Sequence, residues 1–470
     1  KMLRNIVLVF FALFFYSKTA WSLGNCNGDL SGDGSTHAPI AADITNERHN
    51  CKVNDNLIVQ SGVTIRNGND KWTVLLRSND PANVDDNVTI DNYGTIHSNN
   101  NQTIKAESVA NLTINNYNGG TISSGKSSAI YLNDEPRGIR INNYEGGTIE
   151  SGTYGTIFND AASASDSDIY IYNEGLIRTK STNPDGCASG GDPYENLLCR
   201  AAIGITGGGG ATTIVNTATG VITYTSPNQS KAGIKVNDST NATITNYGEI
   251  SGDERDIVIV LSGNGGTTTI NLGGTPTFEN GIDINLTTVN IVLQNDISGV
   301  FSVNIYDYDS DLLTINDDDL PANYAHSLTS EDLDEDGVDD GVLSIVTVPI
   351  LSSSSPADGA SNVGVNDNIV LTFSEAVDAE SGNIVIKKSS DDSIVETIDV
   401  TGSKVSGSGS ITITIDPSTT LDQATGYYIT IDATAFDNAS SVSYAGISDA
   451  TTLNFNTGAS NPLEDKDVVG

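Results

Sequence analysis

The run from Asp332 to Gly341 has the residue types and the spacing of a calcium-binding loop. Its letters DLDEDGVDDG match the first half of the pattern D-x-D-x-D-G, in which carboxylate oxygens at alternate positions surround the ion and glycine permits a sharp turn. The match ends at the twelfth position, where Leu343 replaces the bidentate glutamate. A Ca²⁺ site is the one cofactor that the sequence suggests, but we prefer the alternative, an acidic turn without an ion. The predicted ligands are Asp332, Asp334, Asp336 and Asp340.

A row of tyrosines is the second group with recognisable chemistry. Each follows an asparagine in a repeated motif, and rings that point outward would form a strip for stacking on sugars, with neighbouring Asn and Thr side chains binding hydroxyl groups. The alternative, which we prefer, is that the rings stack on one another at a corner of the fold. The candidate glycan-binding residues are Tyr93, Tyr117, Tyr144 and Tyr247.

Signatures of catalysis are absent from the sequence. There is no G-x-S-x-G, H-E-x-x-H, Walker or Rossmann motif, and the four histidines lie apart from any serine or cysteine nucleophile motif. Acidic residues are abundant, so a carboxylate pair of the kind that glycosidases use could still arise in three dimensions. We predict that the chain is not an enzyme and keep a carbohydrate-active β-helix enzyme, either a polysaccharide lyase or a hydrolase, as the alternative.

The elements that position these residues follow from an internal repeat. The consensus is an apolar residue, any residue and Asn, then one to three turn residues, then Gly-x-Ile; it first appears as Ile90–Ile96 and last as Ile244–Ile250. Short apolar runs with period-two patterning lie between the copies, so each period holds about three β-strands. Repeats of this kind build a parallel β-helix, in which every strand hydrogen-bonds to the coils above and below it.

Two residues of the motif have predicted structural roles. Glycine permits a tight corner that β-branched residues cannot enter. The asparagines would stack as an amide ladder with a spacing of about 4.8 Å. They are Asn92, Asn116, Asn143, Asn173, Asn216 and Asn246.

Composition excludes several classes of function. The chain of 470 residues has 60 Asp and Glu against 22 Lys and Arg, a formal net charge of −38. Because phosphate recognition needs clustered Lys and Arg, nucleic-acid binding is not expected. Between Arg255 and Lys387 there is no Lys or Arg, whereas residues 307–340 contain 13 acidic residues.

The first 22 residues are typical of a Sec signal peptide. Lys1 and Arg4 precede an apolar run of about 11 residues, too short to span a bilayer, and Ala20 and Ser22 suit signal cleavage. No other segment of the mature chain is apolar enough to cross a membrane as a helix. An even number of cysteines in an exported chain favours disulfides. Four cysteines allow three pairings, of which we favour neighbours, Cys26 with Cys51 and Cys187 with Cys199.

The repeated region resembles the passenger domains of bacterial autotransporter adhesins. The resemblance rests on the export signal, the Asn-x-Gly-x-Ile turns and the Gly/Thr/Asn-rich coils over residues 52–347. It implies an exported surface protein. That family ends in an outer-membrane barrel, so we expect that the chain is incomplete at Gly470 and that a C-terminal membrane anchor is missing.

A second module begins near Pro349 with several alternating strands and turn signals about every ten residues, a pattern typical of an antiparallel β-sandwich. Its beginning, PADGASNV over residues 356–363 followed by IVLTFSEAVD over residues 369–378, resembles bacterial Ig-like domains of the S-layer SbsA type. Such modules are spacers or display units of surface proteins, and the resemblance implies no catalytic residues.

Together these features predict an all-β protein made of a right-handed parallel β-helix and a C-terminal Ig-like β-sandwich. We expect a bacterial protein that is secreted or lies on the cell surface, at the outer membrane, and that acts in adhesion or surface structure. Its expected partner is an extracellular glycan or a cell-surface protein. A passive spacer is a further alternative. The predicted segments are a signal peptide (1–22), an N-terminal cap (23–51), the β-helix (52–347, with an acidic junction at 307–347), the Ig-like domain (348–458) and a linker or truncated tail (459–470).

Overall fold

The protein is described by a computed structural model. It describes residues 44–45, 49–51, 56–68, 72–77, 87–134, 136–160, 168–181, 201–205, 210–225, 231–237, 241–260, 266–285, 287–334, 338 and 340–459. The predicted signal peptide lies outside these residues. None of the described residues forms a helix, so this part of the chain contains no apolar helix of membrane-spanning length.

The chain divides into two compact units. The first unit comprises residues 1–243, 250–257 and 262–266, and the second comprises residues 244–249, 258–261 and 267–470. Three strands have residues in both units: β21 (Asn241–Asn246), β22 (Glu249–Ser251) and β23 (Arg255–Val260).

The first unit consists of three stacks of short parallel strands, each stack taking one strand from every coil. Sheet A contains β3 (Asn56–Val59), β6 (Thr89–Asn92), β9 (Thr113–Asn116), β12 (Ile139–Asn143), β15 (Ile169–Asn173) and β18 (Ala211–Asn216). Sheet B contains β1 (Ile44–Thr45), β4 (Thr64–Asn67), β7 (Thr95–Ser98), β10 (Thr121–Ser124), β13 (Thr148–Ser151), β16 (Leu176–Lys180) and β19 (Val221–Thr225). Sheet C contains β2 (His49–Cys51), β5 (Val74–Arg77), β8 (Ile104–Glu107), β11 (Ile130–Asn133), β14 (Ile157–Asp160), β17 (Ala201–Ile205) and β20 (Ala232–Asn237).

The register of the strands aligns the isoleucines of successive coils. In sheet A, Ile114 pairs with Ile90 on one side and with Ile141 on the other, and all three are fully buried. Sheets B and C contain equivalent rows, for example Ile122 beside Ile149 and Ile130 beside Ile157. Alternate residues of each strand therefore form one continuous core, as the period-two pattern predicts.

The amide ladder is present inside the first unit. The Nδ2 atoms of Asn92, Asn116 and Asn143 donate to the Oδ1 atom of the next asparagine at 2.8 Å, and Asn173 donates to Asn216 at 2.9 Å. All five side chains are fully buried. The predicted ladder is thus confirmed for five of its six asparagines.

The motif glycine is required for a steric reason. A Cβ atom on Gly120 would lie 2.5 Å from the carbonyl oxygen of Asn92 in the preceding coil and 2.6 Å from Oδ1 of Asn116. The motif glycine is not in the left-handed region, whereas its neighbour Gly119 has a φ of +79°. Close approach between coils, rather than an unusual corner conformation, therefore excludes side chains at this position.

The second unit continues the parallel pattern and then changes it. Its strands before the Ig-like module are β24 (Thr268–Leu272), β25 (Thr277–Phe278), β26 (Ile282–Asp283), β27 (Val289–Leu293), β28 (Phe301–Tyr306), β29 (Leu313–Asn316), β30 (Tyr324–Glu331) and β31 (Asp340–Thr347). β24, β27 and β29 pair in parallel, but β31 pairs antiparallel with both β28 and β30. The predicted acidic junction therefore contains a β-hairpin, and the calcium-like motif forms its connection.

The C-terminal module is a sandwich of two five-stranded sheets. The first sheet contains β32 (Leu351–Ser355), β34 (Ile369–Ala379), β38 (Ser410–Ile415) and β37 (Val405–Ser406), and β40 (Phe436–Asp437) pairs with β34. The second sheet contains β33 (Ala360–Val363), β41 (Asn454–Thr457), β39 (Gly426–Ile431), β35 (Asn383–Lys388) and β36 (Ile394–Asp399). Alternate residues of the strands form the buried core, in which Phe373 contacts the rings of Phe436 and Tyr444 at 5.4 and 5.2 Å between centroids. The predicted all-β fold, a parallel β-helix followed by an Ig-like sandwich, is confirmed.

Candidate functional site

Three of the four predicted glycan-binding tyrosines stack on one another. The rings of Tyr93 and Tyr117 lie 4.3 Å apart with an interplanar angle of 3°, and those of Tyr117 and Tyr144 lie 5.0 Å apart at 12°. The ring faces that meet in the stack are covered by the neighbouring ring. Tyr93, at one end of this row of three, is 39% exposed. Tyr247 belongs to the second unit. Glycan binding by this row stays a prediction.

The middle ring of the stack is held in its protonated form. Burial and the negative charge of Asp91 raise the pKa of Tyr117, whose hydroxyl group points at Oδ1 of Asp91 from 3.4 Å. A hydrogen bond to Glu174 raises the pKa of Tyr172 to about 12. Both hydroxyl groups therefore act as hydrogen-bond donors at neutral pH.

A second amide ladder lies on the exterior of sheet A. Asn115 donates to Oδ1 of Asp91 at 2.8 Å, and Asn142 donates to Oδ1 of Asn115 at 2.7 Å. The donors of this ladder point toward the earlier coil, opposite to those of the interior ladder. Sequence reasoning assigned no role to these residues, although Asn115 and Asn142 each precede a motif asparagine.

A groove with a volume of about 700 Å³ crosses the exterior of sheet A in the first unit, beside this exterior ladder. Five strands contribute one residue each to a row along it, with neighbours in direct register: Thr89, Thr113, Arg140, Tyr170 and Thr213. The guanidinium of Arg140 lies over the ring of Tyr170, 4.3 Å from its centroid. Asp168 also lines the groove, and its Oδ1 atom accepts a hydrogen bond from the backbone of Ala211 at 2.9 Å.

The hairpin of the second unit brings three of the four predicted calcium ligands together. One carboxylate oxygen from each of Asp332, Asp334 and Asp340 lies within 4.8 Å of the others. Two oxygens that bind the same Ca²⁺ lie at most about 4.8 Å apart, because Ca–O bonds measure about 2.4 Å. Asp336 lies outside the described residues. The three described carboxylates can therefore supply part of a calcium site.

Asp340 differs from its two exposed neighbours because it also holds the hairpin connection. It is fully buried, and its carboxylate accepts backbone hydrogen bonds from Asp307 at 2.9 Å, Leu333 at 2.8 Å and Asp334 at 3.3 Å. A buried carboxylate with several N–H donors is well compensated. Asp340 thus holds the backbone of Leu333 and Asp334 in place, and calcium binding stays a prediction.

Calcium at millimolar concentration, added to the full chain after treatment with EGTA, is expected to raise the midpoint of thermal unfolding by about 1–3 °C. An ion that binds the folded hairpin and not the unfolded chain would stabilise the fold. Asp334→Asn removes one exposed ligand and should abolish the rise. Asp311→Asn, which removes an equal charge elsewhere in the second unit, should preserve it. An unchanged midpoint in the unsubstituted chain would reject the site.

Among the described residues, a polar cluster on the exterior of sheet B comes closest to a nucleophile beside a base. The Nδ1 atom of His97 lies 2.9 Å from Oγ of Ser123, and its Nε2 atom lies 2.9 Å from Oδ1 of Asn99, which also accepts from Arg66. Burial lowers the pKa of His97. The Ser123 side chain is itself buried, so the cluster is best explained as a network that links coils.

The cysteine predictions remain untested. Cys26, Cys187 and Cys199 lie outside the described residues, and Cys51 is described only as the last residue of β2. The predicted pairing therefore stays a prediction.

Comparison with protein families concerns the C-terminal module alone. The family described as bacterial Ig-like domain matches residues 346–457. The C-terminal module is a bacterial Ig-like domain. Domains of this family occur in bacterial surface proteins and are not catalytic, so the match indicates a bacterial surface-associated protein. Comparison with curated proteins and with solved structures gave no match.

The Ig-like domain and the last strand before it are joined by side-chain hydrogen bonds within the second unit. The Nδ2 atom of Asn438 donates to the backbone oxygen of Thr347 at 2.8 Å, and the hydroxyl group of Thr347 donates to Glu375 at 2.9 Å. The end of β31 is therefore hydrogen-bonded to the Ig-like domain and also leads directly into it along the chain.

Proposed function

We propose that the protein is an exported surface protein of a bacterium, in which the β-helix supplies an adhesive or structural surface and the Ig-like domain serves in attachment or display. The observation that carries this proposal is the combination of stacked parallel coils with a bacterial Ig-like domain in one chain. We also propose that the β-helix is related to autotransporter passenger domains and that the Ig-like domain is of the SbsA type.

The mechanism is the rigid presentation of repeated contacts. Isoleucine rows and the interior amide ladder fasten each coil to the next, so exterior side chains recur at a fixed spacing of about 4.8 Å. Several weak contacts along one rigid surface bind more strongly together than any one of them alone. The tyrosine row and the groove of sheet A are the surfaces that would make such contacts.

The enzymatic alternative requires two carboxylates, or a carboxylate and a base, facing one groove. Among the residues that line the described groove, Asp168 is the one carboxylate. The adhesive proposal is therefore preferred, and incubation of the purified chain with acidic and neutral polysaccharides checks it. Release of shorter oligosaccharides would favour the enzyme.

Surface location is tested with antibodies against the purified chain. Intact bacteria that produce the protein should bind the antibody, and external protease should remove the label, because the proposed function places the β-helix outside the cell. Beads coated with the full chain should also adhere to a target surface better than beads coated with a protein of equal charge. Labelling only after permeabilisation would contradict the proposal.

A further inference from the structure

In the groove of sheet A, Arg140 is a cation that has no counter-ion among the described residues. Its guanidinium is placed by the ring of Tyr170, yet it makes no ion pair with any carboxylate that the structure describes. Several other cations of the first unit do form ion pairs: Arg77 and Lys105 pair with Glu107, and Arg178 pairs with Glu150 at 2.7 Å. A guanidinium that is held in position but not paired presents its donors to a ligand.

The charge around the groove permits an anionic ligand. Without the predicted signal peptide, the first unit contains 15 Lys and Arg against 26 Asp and Glu, a formal charge of −11, whereas the second contains 4 against 34, a formal charge of −30. Most of the negative charge of the chain is therefore carried by the other unit. The charge within the first unit therefore opposes an anion at sheet A much less than the total charge of the chain would.

The other side chains of the groove suit the hydroxyl groups of a sugar. Thr113 is the register neighbour of Arg140 on one side, and Thr213 follows Tyr170 on the other. Each threonine can both donate and accept a hydrogen bond, and the Asp168 carboxylate accepts them. Because five coils contribute to one row, the groove can hold several sugar units in succession.

We infer that the groove of sheet A binds an oligosaccharide that carries a carboxylate, with the carboxylate on Arg140 and the sugar hydroxyls on the flanking threonines. The planar fork of arginine matches a carboxylate with two parallel hydrogen bonds. Tyr170 acts as a positioning residue, since its ring holds the guanidinium in place. This inference rests on the proposed adhesive function and assigns it a class of ligand.

The test is titration of the purified full chain with two pairs of probes. Tetragalacturonate is compared with its fully methyl-esterified form, and sialyllactose with its own methyl ester. Each pair keeps the sugar chain and removes the negative charge. Binding of at least one carboxylated probe, with its uncharged partner bound at least about tenfold more weakly, is expected. The pair that binds distinguishes a uronate from a sialic acid. Failure of both carboxylated probes, or equal binding of charged and uncharged partners, would overturn the inference.

Three variants locate the contact. Arg140→Gln should weaken binding at least about tenfold, and Arg140→Lys should weaken it less, because the charge remains but the fork is lost. Arg178→Gln, which removes a cation from the exterior of sheet B, should leave binding unchanged. Thermal unfolding of each variant verifies folding. If the purified chain binds neither acid but intact cells still display an adhesive protein, this inference fails and the proposed function stands.

Discussion

Replacement of Asn116 by alanine is expected to lower the free energy of unfolding of the first unit by about 2–4 kcal/mol. Asn116 accepts a hydrogen bond from Asn92 and donates to Asn143, both at 2.8 Å, and no part of it is exposed. The substitution leaves Oδ1 of Asn143 without this donor in a site that water does not reach, so the desolvation cost of that group is not offset.

The adjacent residue provides a matched control. Asn115 belongs to the exterior ladder, where it donates to Asp91 at 2.8 Å. It also accepts a hydrogen bond from Asn142 at 2.7 Å, and both contacts are only partly buried. Water can replace these partners, so Asn115→Ala should cost only about 1 kcal/mol. Urea unfolding of the full chain measures both variants, and amide hydrogen exchange in β9 and its neighbours localises the change. Equal losses from the two variants would show that burial of the ladder does not determine its contribution.

Gly120→Ala is expected to destabilise the same unit by about 2–4 kcal/mol. The new methyl group would lie 2.5 Å from the backbone oxygen of Asn92 and 2.6 Å from the ladder atom Oδ1 of Asn116. Neither atom is the end of a flexible surface chain, so the coil must shift away from the one before it. The interior ladder and the isoleucine rows would be strained together.

Gly119 is the control for this substitution. It has a φ of +79°, and a Cβ atom there would meet nothing within 4 Å. Gly119→Ala should therefore cost only the conformational strain of a left-handed residue, about 1 kcal/mol. Denaturant midpoints of the two variants, determined side by side, separate close approach from backbone conformation. A larger loss at Gly119 than at Gly120 would contradict the steric explanation.

Much of the fold could be predicted because the repeat is a local pattern with a single geometric solution. Alternating isoleucines such as Ile90, Ile114 and Ile141 allow one face of each strand to be buried, and recurrence of the unit stacks those faces. The asparagine ladder follows from the same register, since identical residues at one position of every coil must become neighbours. The Ig-like domain could be predicted because the amino-acid sequence of its first strands resembles that of bacterial Ig-like domains.

The candidate sites depended on relations between coils that the sequence does not contain. Arg140 and Tyr170 lie 30 positions apart and become neighbours only because β12 and β15 pair in register, so nothing local marks them as a groove. The antiparallel hairpin of β30 and β31 was also not predicted, because alternating strands do not reveal the direction in which they pair.

The sequence by itself determined an all-β protein of stacked coils with an Ig-like domain, because apolar periodicity and repetition are properties of the chain alone. Only the tertiary structure decided which exterior residues meet. It turned the tyrosines toward each other, brought Asp332, Asp334 and Asp340 together, and left Arg140 stacked but unpaired within the described part of the chain. The physical reason is that interior positions are selected by burial, which a periodic sequence reveals, whereas exterior contacts depend on the register between coils and on loop length.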